Sequence, residues 1–180
     1  YRSADMAWVS GLSLLAVLGS VALATAVLTH EPRAALNRLL ACHLLLAAYW
    51  VFVEFGRRLA GSVEVTALWD RALLLWPFVL ATLAHFMLRF TEFAPAQRYR
   101  ALLAGVYTSA AVAGMFELVL PHGRRLVIDT PFEYIQTGWA LLVAALILVR
   151  AVHHWRSTEL ELHRARARIM SVGLGVAVLL

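Results

Sequence analysis

The sequence predicts an all-α protein, folded as a polytopic bundle of membrane-spanning helices. Aliphatic, aromatic and cysteine residues make up 62% of the 180 residues, and the mean hydropathy is +0.74. A soluble domain is nearer half apolar. Charged residues make up 15% of the chain and cluster between long apolar runs, which is typical of an integral membrane protein. One domain, covering residues 1–180, accounts for this length.

The apolar runs predict five full spans and an incomplete sixth. The five full spans cover residues 6–29, 34–58, 66–91, 101–120 and 134–150. The fifth continues as a polar helical segment to residue 168, dense in arginine and histidine. The last run, residues 169–180, would reach only about 18 Å as a helix, which is too short to cross a bilayer. We therefore expect the chain as given to be truncated inside this last span, with at least the rest of the helix missing.

The third span is the most informative, because charge lies close to both of its ends. It begins with the pair Asp70 and Arg71 and closes with Arg89. His85 is the only ionisable residue among the 17 residues between the two arginines, and Pro77 is the only proline that interrupts a span. Ionisable side chains within spans are costly and usually face the bundle interior or a water-filled site.

The arginines predict the orientation of the bundle. All 16 basic residues are arginine; ten lie on the side of the loops that follow the first, third and fifth spans, and six lie on the other side. The positive-inside rule places the larger group in the cytoplasm. The N-terminus is then outside and the C-terminal side is cytoplasmic, in a multi-pass protein of the plasma membrane.

With this orientation, polar and aromatic side chains collect at the outer ends of the helices. The predicted ligand-binding residues are Trp50, Glu54, Trp69, Asp70, Arg71, Trp76, Glu117 and Trp139. They would line an outer cavity for a small or lipophilic ligand. An interfacial aromatic belt with ordinary packing remains the alternative. In that alternative Glu54 pairs with Arg57 or Arg58 one turn on, or with Arg71, and only pins two helices together.

The sequence contains no catalytic pattern. We find no phosphate loop, no nucleophile elbow, no zinc-binding motif and a single cysteine, Cys42. His85 is predicted to form a helix-to-helix hydrogen bond. The histidines at 153, 154 and 163 lie in an arginine-rich segment and are assigned to a solvated face. We therefore expect no metal, no cofactor, no nucleic-acid partner and no enzymatic activity in this segment.

Three parts of the chain together form a recognisable pattern. The first part is Asn37-Arg38, followed by a leucine-rich span that ends in Glu54-Phe55. The second part begins with Leu68-Trp69-Asp70-Arg71 and closes with His85-Phe86, Leu88, Phe90 and Thr91. The third part is a charged linker, Leu160 to Arg168, which precedes another apolar run. This pattern resembles the N-terminal seven-helix sensor region of bacterial histidine kinases. The chain departs from it at Glu92, where the family often has glycine, at Pro77, and in lacking a seventh span.

The resemblance implies a sensory input module of a two-component receptor in the bacterial inner membrane. A seventh span and a cytoplasmic histidine kinase would follow, and the module would belong to a homodimer formed through the kinase. A diguanylate cyclase or a phosphatase is a less common output. Two other functions stay open: a transporter or channel subunit, and a membrane-embedded lipid-modifying enzyme using Glu117, His122 and His85, which lie at different predicted depths.

Overall fold

The computed structural model is all-helical in the part of the chain that it describes, residues 2–90, 96–119 and 131–157. The helices are α1 (Arg2–His30), α2 (Ala35–Leu59), α3 (Val63–Ala72), a 3₁₀ helix (Leu73–Leu75), α4 (Trp76–Phe90), α5 (Ala96–Val119) and α6 (Pro131–Ser157). Because α3, the 3₁₀ helix and α4 follow one another without a loop, they form one interrupted rod, Val63–Phe90. The described residues thus form five rods.

Three of the five rods are long and apolar enough to cross a membrane, judged by length and composition over the described residues. They are Gly11–His30, Ala35–Leu59 and Val63–Phe90. The prediction of five full spans is thus more than the described chain supports. In α5 only residues 101–116 are free of charge, between Arg100 and Glu117, and in α6 the apolar part is Thr137–Arg150. Both stretches fall short of the roughly 20 apolar residues that a span needs. The predicted sixth run lies outside the described residues.

Two tight turns set the antiparallel order of the first three rods. The backbone N–H of Ala34 donates to Glu31 O at 3.2 Å and closes a turn around Pro32, so this proline lies before α2. Ser62 caps α3, accepting a hydrogen bond from Val65 N at 3.3 Å through its hydroxyl. The second turn, at Gly61-Ser62, therefore ends in the cap of α3.

The third rod is interrupted at Leu73–Leu75, directly before Pro77. Proline has no N–H to donate to the carbonyl four residues earlier, which is that of Leu73, and its ring crowds that carbonyl. Leu73 O instead accepts a hydrogen bond from Trp76 N, three residues on, as in a 3₁₀ helix. The predicted single third helix is therefore two helices joined by a tight turn.

α4 lies at the centre of the bundle and packs against α2, α5 and α6, whereas α1 packs against α2 at the periphery. Ten of the 28 residues in the Val63–Phe90 rod are buried, compared with Ala24 alone among the 20 residues of Gly11–His30. The main apolar cluster joins α4, α5 and α6 through Ala81, Ala84, Phe86, Met87, Val106, Ala110, Val143 and Ile147. Small residues in this cluster allow the helices to approach closely, as is usual between membrane helices.

Candidate functional site

Asp70 is the most unusual side chain of the predicted site. It lies near the end of α3, one turn before the 3₁₀ helix, and only 1% of it is exposed. Neither carboxylate oxygen has a hydrogen-bond partner within the described part of the chain. A buried polar group without a partner costs about 1–3 kcal/mol, and more when it is charged. The interrupted rod therefore holds a costly group beside its own break.

The break also frees a backbone carbonyl, which α2 satisfies. In an uninterrupted α-helix Ala72 O would accept from Trp76 N, but that N–H goes to Leu73 O instead. Tyr49 Oη of α2 donates to Ala72 O at 2.7 Å. Broken helices at membrane depth require such replacement partners. The break is therefore held against α2 by a specific hydrogen bond that the sequence did not predict.

Glu54 forms an ion pair within its own helix. Its Oε2 accepts hydrogen bonds from Arg57 Nη2 at 2.9 Å and from Arg57 Nε at 3.2 Å. This is one of the pairings that the packing alternative proposed for Glu54. Both side chains are partly exposed, and such a pair contributes at most about 1 kcal/mol. The pair accounts for Glu54 without a ligand.

Trp69 packs across the α2–α3 contact at a glycine. A Cβ added to Gly56 would overlap the indole ring of Trp69, so only glycine leaves room for this contact. The same indole meets Phe52 edge-on, with ring centroids 5.7 Å apart. Trp69 therefore contributes to the packing that holds α3 against α2, immediately before Asp70 in the chain.

Trp76 and Trp139 form a second aromatic contact, on the other side of the break. Their rings meet edge-on with centroids 6.0 Å apart. Trp139 Nε1 donates to Ser109 Oγ of α5 at 3.0 Å. One cluster therefore links α4, α5 and α6, while the cluster around Trp69 links α2 and α3. The structure brings the predicted aromatic residues together in these two groups.

Two predicted site residues lie apart from these clusters. Trp50 is 41% exposed on α2, and Arg71 is exposed on α3 although it follows the buried Asp70. Glu117 belongs to the last turn of α5, and its side chain is outside the part that the structure describes. The proposed roles of all eight residues in ligand binding stay predictions.

Polar contacts also join α4 to two neighbouring helices, α5 and α2. His85 Nδ1 lies 3.2 Å from Tyr107 Oη of α5, a helix-to-helix hydrogen bond of the kind predicted for this histidine. His43 Nδ1 of α2 lies 3.1 Å from Val79 O and 3.3 Å from Thr82 Oγ1. The sequence pattern did not predict this contact between α2 and α4.

A second close approach lies on the opposite side of the break. A Cβ on Gly114 of α5 would overlap the backbone carbonyl of Leu74 in the 3₁₀ helix. Gly56 and Gly114 therefore flank the break from two helices. Glycines inside apolar runs are a sequence signal for close helix packing. That signal identifies the candidates but not the helix that each one meets.

Comparison with known proteins yields no match to a family model, to a curated protein or to a solved structure.

The chemistry that this site supports is that of a carboxylate in a dry, closely packed environment. Among the described residues no three metal-ligating side chains lie close enough to hold an ion. Asp70, the 3₁₀ helix and the two glycine contacts form one unit, which we call the break region: Gly56, Trp69–Trp76 and Gly114. An unpartnered carboxylate beside a helix interruption is suited to a conformational change that gives the carboxylate a partner.

Proposed function

We propose that this chain is the membrane-embedded sensory input module of a two-component signalling receptor. It responds to a small or lipophilic ligand, or to a change in the bilayer, at the end of the bundle that holds Trp69 and Asp70. It relays the response to a cytoplasmic histidine kinase in the same gene product. The resemblance of the sequence to seven-helix sensor regions is the reason for proposing a sensor. The break region is the part of the bundle that would change conformation. A complete module would have seven spans.

The observation that carries this proposal is the unpartnered, buried Asp70 beside the break in the central rod. A sensor needs two states of similar free energy, and a signal shifts them only by its differential affinity for the two. A costly buried carboxylate raises the free energy of the packed state and so brings a second state closer. A short 3₁₀ stretch within a helix often serves as a hinge.

The packing of α4 explains how a change at the break would travel. α4 begins at Trp76 and contacts α2, α5 and α6. A rotation of α3 against α4 would therefore change the packing of α4 against three helices. The tyrosine hydrogen bond between Tyr49 and Ala72 and the contact between Gly114 and Leu74 hold the break in its present geometry. Movement of the break would rearrange both.

The test has two steps. The gene product beyond residue 180 should contain a dimerisation helix with a phosphoacceptor histidine and an ATP-binding domain. Membrane vesicles that carry the full-length protein should then transfer phosphate from ATP to that histidine. Asp70→Asn should change the basal level of phosphorylation or its response to added lipophilic compounds, and Arg58→Gln, an exposed charge on α2, should not.

Two results would contradict different parts of the proposal. A gene product without a kinase, cyclase or phosphatase domain overturns the sensory function itself. A kinase whose phosphorylation is identical in the wild type, Asp70→Asn and Glu54→Gln retains the function but removes both residues from the site.

The second candidate function is a transporter subunit. The break itself favours it, because transporters place binding sites at discontinuous helices near the middle of the membrane. Asp70 would then bind a proton or a metal cation during transport. Proteoliposomes with an internal pH-sensitive dye distinguish the candidates: a transporter gives flux that Asp70→Asn abolishes, whereas a sensor gives none.

A further inference from the structure

A cleft at the C-terminal end of α4 has the composition of an anion site. It lies between the first turns of α2 and the last turns of α4 and is lined by Ala35, Arg38, Leu39, His85 and Arg89, with a volume of about 360 Å³. The two arginines come from different helices, and both are exposed. From this cleft we infer that the protein binds the phosphate group of an anionic ligand between α2 and α4.

The helical register explains why these side chains converge. Ala35, Arg38 and Leu39 are spaced by three and four residues and so share one face of α2, and His85 and Arg89 share one face of α4. The two helices pack against each other in the bundle. Leu39 also packs against the main apolar cluster, which gives the cleft an apolar floor beneath its basic rim.

The charge of the cleft is uncompensated within the described residues. The Glu54–Arg57 salt bridge lies near the other end of α2. Arg38 and Arg89 have no carboxylate partner among the described residues. Two guanidinium groups facing one cleft repel each other, and a shared phosphate would relieve the repulsion through charge-assisted hydrogen bonds. Arginine suits this role because its planar fork matches the oxygens of a phosphate.

α5 holds the α4 side of the cleft in place. The guanidinium carbon of Arg89 lies 5.9 Å from the centroid of the Tyr99 ring, a cation–π contact. His85 meets Tyr107 through the contact at Nδ1, and its Nε2 has no partner within the described chain. These contacts orient two of the three polar groups before a ligand arrives, which lowers the entropy lost on binding.

The N-terminus of α2 adds a weaker positive electrostatic potential to that of the arginines in the cleft. Its N-cap, Ala34, offers no side-chain acceptor, so the first N–H groups of the helix lack a side-chain cap. Ala35, the first helical residue, lines the cleft. The positive end of the helix dipole therefore points toward the same space as the arginines.

The position of the cleft at the ends of two candidate spans allows two sources of phosphate. One is the headgroup of an anionic lipid, since basic pockets between membrane helices bind such headgroups. The other is soluble phosphate or a phosphate ester. The chemistry is the same for both, and it does not depend on the proposed sensory function.

Native mass spectrometry of the chain in neutral detergent tests the inference with phosphatidylglycerol, phosphatidylcholine and inorganic phosphate as probes. The wild type should retain phosphatidylglycerol in preference to phosphatidylcholine if the lipid is the source. If soluble phosphate is the source, inorganic phosphate should bind and displace the lipid. Arg38→Gln and Arg89→Gln should each weaken binding of the preferred probe by about tenfold, because each removes a charged hydrogen-bond donor.

The control is Arg58→Gln, which removes the same charge from an exposed site at the other end of α2 and should change binding by less than about twofold. Arg38→Lys keeps the charge, loses the fork and should bind with intermediate strength. Equal binding by the wild type, Arg38→Gln and Arg89→Gln would overturn the inference, and so would a wild type that binds none of the three probes. Because both arginines are exposed, size-exclusion profiles should match the wild type throughout.

Discussion

Single residues in the break region carry most of its chemistry. Asp70 is buried without a partner within the described residues, and Gly56 and Gly114 each allow a contact that no larger residue would. These features have opposite effects on stability. The glycines permit close packing, while the carboxylate reduces the free energy of unfolding. Substitutions at the two kinds of position should therefore have opposite consequences.

Asp70→Asn should unfold at the same temperature as the wild type or at a higher one. The carboxylate has no hydrogen bond to lose, and the amide removes a group that is costly to bury when charged. Thermal unfolding in detergent, followed by tryptophan fluorescence, measures the midpoint. Glu54→Gln is the control and should lower stability by about 0.5 kcal/mol through loss of the ion pair with Arg57. A larger loss in Asp70→Asn than in Glu54→Gln would show that Asp70 has a stabilising partner.

Gly56→Ala should destabilise the protein by about 1–3 kcal/mol, the usual cost of overpacking. Its Cβ would meet the ring of Trp69, which must move and lose its contact with Phe52. Gly105→Ala is the matched control, since Gly105 lies within α5 and a Cβ there would have nothing within 4 Å. Alanine at Gly105 should be neutral or stabilising by up to about 1 kcal/mol. Equal midpoints for the two variants in thermal unfolding would contradict the close contact at Gly56.

At the scale of elements, the interrupted rod is the distinctive feature. Pro77 removes one hydrogen bond, the chain tightens to a 3₁₀ turn at Leu73–Leu75, and the hydroxyl of Tyr49 then satisfies the carbonyl of Ala72. Each step follows from the one before. The break is therefore a local consequence of one proline that a neighbouring helix has accommodated.

Pro77→Ala should restore a continuous α-helix through this segment. Residue 77 would then have an N–H for Leu73 O, and Trp76 N would return to Ala72 O. Hydrogen–deuterium exchange should slow at peptides covering residues 73–78 and stay unchanged in α1. Exchange that is equal or faster in the variant would mean that the break does not originate from the proline.

Tyr49→Phe should destabilise the wild type by about 1 kcal/mol, because the carbonyl of Ala72 loses its donor. In the Pro77→Ala background the same change should cost clearly less, since Trp76 N supplies that donor. A double-mutant cycle of thermal stabilities measures this coupling. Additive effects would show that the tyrosine hydrogen bond contributes to stability independently of the helix break.

At the scale of the whole molecule, the central rod organises the bundle. α4 contacts three other helices, and the break region and the basic cleft lie at its two opposite ends. Turns at Glu31–Ala34 and at Ser62 mark the two ends of α2. The orientation of these ends across a membrane follows from the arginine count and stays a prediction.

Cysteine labelling tests that orientation. In a Cys42→Ala background, Ser62→Cys should react with a membrane-impermeant maleimide added to intact cells, because the turn before α3 is predicted to be outside. Arg33→Cys, in the turn before α2, should react only after permeabilisation. Both positions are exposed, so accessibility reports the side of the membrane. The reverse labelling pattern would invert the topology and place the basic cleft outside.

The sequence by itself determined the helical class, the position of the rods and the charged pair at Asp70 and Arg71. Composition and the spacing of charges are sufficient for this, because the bilayer requires long apolar helices and satisfied backbone groups. The turns at residues 31–34 and 61–62 were recognisable from proline, glycine and serine. Helical spacing offered a pairing of Glu54 with Arg57 or Arg58 as an alternative to the predicted ligand-binding role.

Only the tertiary structure decided which side chains meet across helices. Asp70 is buried and Arg71 is exposed. This difference depends on which face of α3 packs against the bundle. The contacts between Gly56 and Trp69 and between Tyr49 and Ala72 join residues distant in sequence, as does the cleft that Arg38 shares with His85 and Arg89. Helical periodicity defines the faces of each helix, but in an apolar bundle nearly every face is apolar, so packing alone selects the partner.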